Sequence, residues 1–62
     1  MPELFAIPLD EQIECVEREI GYRKRVYPKF IFNRRMTRTA ADREIDRMTA
    51  VRDTLIALRD SQ

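Results

Sequence analysis

The sequence predicts an all-α protein, a two-helix antiparallel hairpin that dimerises into a four-helix arrangement. Apolar residues recur at three- and four-residue steps in two separate stretches, Leu9, Ile13, Val16, Ile20 and then Ala41, Ile45, Met48, Val51, Leu55, Leu58. That spacing is the signature of an amphipathic helix. A short basic segment joins the two, and short connections make neighbouring helices antiparallel. No stretch alternates convincingly as a strand. Sixty-two residues make one domain, 1–62, and a chain this short buries only about 60% of its unfolded surface. With Cys15 as the single cysteine and no histidine, neither a disulfide nor a Cys/His zinc site can staple it. Self-association is therefore expected, with Ile13, Val16, Ile20, Ile45, Met48, Val51, Leu55 and Leu58 as the core and dimer residues.

Residues 1–8 read as an extended apolar arm, with Leu4, Phe5 and Ile7 lying between Pro2 and Pro8. It is expected to fold over the open end of the hairpin or to reach across a dimer. Helix 1 is expected over 9–32. Asp10 is its expected N-cap, and Glu11, Glu14 and Glu17 place negative charge in the early turns. Arg23, Lys24 and Arg25 arrive towards the C-terminal end, where cations favour the helix dipole. Glu14–Arg18 and Glu19–Arg23 are i,i+4 pairs in the better orientation, each worth ~0.2–0.5 kcal/mol. Gly21 costs up to ~1 kcal/mol against alanine inside a helix, which suggests a place where another helix approaches. Pro28 removes a backbone donor and crowds the carbonyl of Lys24, so a kink is expected there. Phe30 and Ile31 extend the apolar stripe beyond it.

A turn is expected over 33–36, with Asn33 in the left-handed conformation that commonly ends helices. Helix 2 is expected over 37–60, with Thr37 or Thr39 as N-cap. Thr39-Ala-Ala-Asp42 is a weak capping box, aspartate standing where glutamate or glutamine is usual.

Net charge is +1, but it is segregated along the chain. Residues 1–20 hold six acids and one base, 21–41 hold seven bases and no acid, and 42–62 hold five acids and four bases. Part of this pattern serves the helix dipoles. The first residues have no basic n-region, and no segment is apolar enough for a membrane span. With a lone cysteine, the expected setting is the cytoplasm, with no membrane association.

Catalysis is not expected. There is no histidine, the sole serine is Ser61, and Cys15 lies in an acidic helix that discourages a thiolate. Glu11, Glu14 and Glu17 read as surface carboxylates that favour the dipole and pair with arginine, not as metal ligands. No cofactor is implied. The informative stretch is the basic one, which carries four of the five aromatics. Tyr27, Lys29, Phe32, Arg34, Arg35 and Arg38 are the candidate partner-binding residues, since tyrosine and arginine are enriched in binding hot spots. The alternative is accessory nucleic-acid binding by segment 23–38, with Arg25, Lys29, Arg34, Arg35 and Arg38 on phosphates and aromatic faces for stacking. A near-neutral net charge counts against a dedicated nucleic-acid binder. A solvated turn with dipole-matched charges remains a third reading.

Val16-Glu-Arg-Glu19, Arg23-Lys-Arg-Val-Tyr-Pro28, Arg35-Met-Thr37, Ala41-Asp-Arg-Glu-Ile45 and Met48 together resemble small phage- and prophage-encoded helical-hairpin proteins. In outline those read R-x-x-V-Y-P, a short G-R-M/L-S/T turn, then A-D-x-E-I-x-x-M. The likeness spans roughly residues 10–58. No general activity comes with that group. The resemblance implies a hairpin and a phage origin, and no activity; with that pattern, an inhibitor or adaptor that binds a host protein is the sharpest form of the interaction-module reading, and a minor structural component of a phage particle is a weaker alternative. This sequence departs from the pattern at Arg34, where the turn glycine is expected.

Overall fold

The computed structural model describes residues 6–62, which form two α-helices, α1 (Leu9–Phe32) and α2 (Arg38–Asp60), with no strand among the described residues. The helices pack against each other along their length. Arg23 meets Glu44 near the turn and Asp10 meets Arg59 near the open end, so they run antiparallel. Leu4 and Phe5 of the expected arm lie outside the described residues.

The start of α1 differs from expectation. Pro8, not Asp10, is the N-cap, with φ −56° and ψ 147° and no side-chain cap bond. Asp10 stands instead in the first turn beside Glu11. The reason is Leu9, which is only 7% exposed; capping at Asp10 would leave it outside the helix. Gln12 secures the start, its Nε2 donating to the Ile7 carbonyl (2.8 Å) and its backbone N–H to the Pro8 carbonyl (3.1 Å). Glu14–Arg18 (3.8 Å) and Glu19–Arg23 (2.9 Å) both form. Pro28 lies inside α1, and the helix continues through it to Phe32.

The turn is a correction with a clear cause. Arg34, not Asn33, takes the left-handed conformation, at φ 60°; Asn33 is at φ −83° and ψ 7°. The Arg35 N–H donates to the Phe30 carbonyl (2.8 Å) and the Arg34 N–H to the Ile31 carbonyl (3.0 Å). This pair of bonds is the Schellman motif, which requires positive φ one residue beyond the C-cap. Thr37 then caps α2, its Oγ1 accepting from the Ala40 N–H (3.1 Å). Thr39 is already within the helix, so the Thr39–Asp42 capping box does not form.

The seam is thin. Leu9, Ile13 and Ile20 of α1 and Ala41 of α2 are its buried apolar residues. Val16, Ile45, Met48 and Leu55 are half-buried. Val51 and Leu58 are 47% and 36% exposed, because at about 100° per residue Val51 falls about 80° from Ala41 while Arg52 falls within about 20°. Half-buried Arg52 and Ile56 occupy the seam instead, Arg52 laying its aliphatic stem there while its guanidinium bonds Asp53 (3.1 Å). The molecule measures 50 × 15 × 13 Å with a radius of gyration of 14.6 Å; a compact chain of this length would have roughly 10.6 Å.

Candidate functional site

Near the turn, the two helices enclose an open groove of about 710 Å³. Its walls follow from register. Tyr27 and Ile31 lie one helical turn apart on α1, and Ala41 and Ile45 one turn apart on α2, giving it apolar sides. Charges of both signs stand around them, Lys24 and Arg38 against Asp42 and Asp46, and Pro28 and Phe32 complete the α1 wall. Phe32 is 86% exposed, a large apolar ring at the rim of the groove.

Of the candidate residues, Tyr27, Phe32 and Arg38 line this groove, whereas Lys29, Arg34 and Arg35 do not. Lys29 is about 200° round α1 from Tyr27. Arg34 and Arg35 are exposed in the turn itself. Lys24, Arg25, Lys29, Arg34, Arg35 and Arg38 make no salt bridge among the described residues, so the turn end carries a concentrated positive field.

Sequence reasoning passed over Lys24, Pro28, Ile31, Ala41, Asp42 and Asp46 as site residues, and assigned Ile45 to the core and dimer surface. The available signals were the i,i+4 pairs Tyr27/Ile31 and Asp42/Asp46 on facing helices.

Several of the other charges are paired. The Arg23 guanidinium is held above its usual value, chiefly by its hydrogen bond to Glu19, with Tyr27 and Glu44 adding to the effect. Arg59 is raised likewise, first by its bond to Asp10 (3.1 Å) and then by Asp60. The Tyr27 and Phe30 rings lie 6.3 Å apart at 37°. Cys15 is exposed. Among the described residues no three Cys, Asp or Glu side chains gather as a metal site, and no helix is long and apolar enough to cross a membrane. Comparison with known proteins finds no matching family model, no matching characterised protein and no matching solved structure.

Proposed function

We propose that this chain is a small non-enzymatic interaction module that binds another protein through its turn end. Its contacts are Tyr27, Lys29, Phe32, Arg34, Arg35 and Arg38. In this reading α1 bends at Pro28, and two hairpins associate into a four-helix arrangement in the cytoplasm. The likeness to phage-encoded hairpins makes an inhibitor or adaptor acting on a host protein its sharpest form.

The observation that carries the reading is Phe32, 86% exposed at the rim of an apolar groove. An uncovered aromatic beside a pocket of mixed charge is what a protein hot spot inserts against. Nucleic-acid binding is the second reading, favoured by the six unpaired cations of the turn end. Asp42 and Asp46 at the groove oppose it, because carboxylates repel phosphate.

Two measurements separate them. Capture of a partner from nuclease-treated extract should fall at least tenfold with Phe32→Ala. Anisotropy titration with duplex DNA, single-stranded DNA and RNA should show only weak binding, erased by modest salt. Nucleic-acid binding that persists near physiological salt, with a steep salt slope flattened by Arg34→Ala and Arg35→Ala, would overturn the protein-binding reading.

A further inference from the structure

We propose that a second copy of the chain packs antiparallel on the hairpin face carrying Tyr22, Val51 and Leu58, leaving one groove open on each outer face of the pair. This rests on the self-association reading above and names its surface and direction.

The face is defined by an ion pair. Arg23 of α1 reaches Glu44 of α2 across one side of the seam (3.5 Å). On that side of α1 stand Val26 and Tyr22, about 60° and 100° round from Arg23, and on α2 stand Val51 and Leu58, about 20° and 40° from Glu44. Lys24 and Ile45, each about 100° the other way, line the groove on the opposite side. Tyr22, Val51 and Leu58 are 49%, 47% and 36% exposed, so this face holds three uncovered large apolar side chains that the hairpin seam does not use. The chain exposes 5205 Å², where a compact monomer of this mass would expose roughly 4,200 Å²; the excess is comparable to the ~800 Å² that each partner buries in a standard interface.

Charge sets the direction. The cations without a salt bridge crowd the turn end, while Glu11 and Glu17, which also make none among the described residues, lie towards the open end. Parallel packing would press two basic turns together; antiparallel packing sets each basic turn against an acidic start. A twofold axis at the middle of α1, between Ile20 and Gly21, places Cys15 opposite Val26 of the second copy and Glu11 within a residue of its Lys29. The two grooves then lie on opposite outer faces, offset roughly 22 Å along the long axis, which makes the pair a bivalent binder.

Sedimentation equilibrium of the full chain should give twice the 7.4 kDa monomer mass. Under mild oxidation, Val26→Cys should form covalent dimer at least tenfold faster than either the wild type or Val26→Cys with Cys15→Ala. In the antiparallel pair, like cysteines are roughly 16 Å apart, well beyond disulfide reach. As a test that needs no disulfide, Glu11→Lys should weaken dimerisation about tenfold, and adding Lys29→Glu should restore it. A monomer at tens of micromolar overturns pairing altogether. A dimer in which the single-cysteine proteins crosslink equally fast, or in which the charge swap fails to restore affinity, overturns the face and direction. Either result leaves Phe32-dependent capture of a partner standing, because Phe32 and the groove lie on the other side and only Lys29 is common to the two surfaces.

Discussion

Arg34 is the non-glycine residue with positive φ among the described residues, at the position past the C-cap where glycine is usual. A left-handed non-glycine residue costs roughly 1 kcal/mol or more, a cost glycine avoids. Arg34→Gly should therefore stabilise the fold by about 1 kcal/mol in urea unfolding, whereas Asn33→Gly should bring no gain. On the proposed reading the Arg34 side chain is a partner contact, so Arg34→Gly should weaken partner capture while raising stability. Phe32 gives the complementary case. Being 86% exposed, it can be cut to alanine with a stability change within about 0.5 kcal/mol, and loss of binding in that variant then reports the contact alone.

The helix ends make separate claims. Thr37 Oγ1 accepts a hydrogen bond from the Ala40 N–H, so Thr37→Ala should cost about 1 kcal/mol. Thr39→Ala, inside α2, should change stability by less than about 0.5 kcal/mol. Within α1, no atom lies within 4 Å of a Cβ built on Gly21, so no helix of this hairpin uses the space expected there. Gly21→Ala should stabilise by up to ~1 kcal/mol. Pro28→Ala restores a helical N–H and should stabilise α1 by up to ~3 kcal/mol, while altering the groove wall that Pro28 forms; thermal melts and partner capture should move in opposite directions. The cross-helix ion pairs predict little pH dependence on the basic side. Arg23 and Arg59 have raised values, so what each contributes is complete below the unfolded arginine value and is lost only as pH rises through the still higher folded value. Their stabilisation is flat across neutral pH, which urea melts between pH 6 and 9 would check.

At the scale of the whole molecule the hairpin is a single layer, 50 Å long and 13–15 Å across. Its buried apolar residues are few among the described residues, so each matters. Ile20, 5% exposed, should cost about 2–5 kcal/mol when cut to alanine, a large fraction of the stability a domain this small can have. If the fold is shared with a second copy, its melting temperature must rise with protein concentration. A melting temperature that stays constant over a hundredfold range of concentration would contradict a coupled dimer.

The hairpin was legible in the sequence because helices are decided locally. The steps from Leu9 to Ile20 and from Ala41 to Met48, the acidic start of α1, the threonine cap and the Glu–Arg pairs all act within one or two turns of chain. Even the departure at Arg34 was visible as a missing glycine; which residue would turn left-handed was settled by the Schellman bonds to Phe30 and Ile31, which depend on where α1 stops. The α2 seam was less legible. Val51 and Leu58 are more apolar than Arg52, and an apolar count prefers them, yet the phase of the helix from Ala41 puts Arg52 inwards. Only the facing surface of α1 decides which of two adjacent stripes is buried. The groove has the same origin, since Tyr27 and Ile31 meet Ala41 and Ile45 only once the helices are paired in register. Local hydrogen bonding and charge determined two helices and a basic turn; packing between residues far apart in the chain decided which side chains that turn end presents.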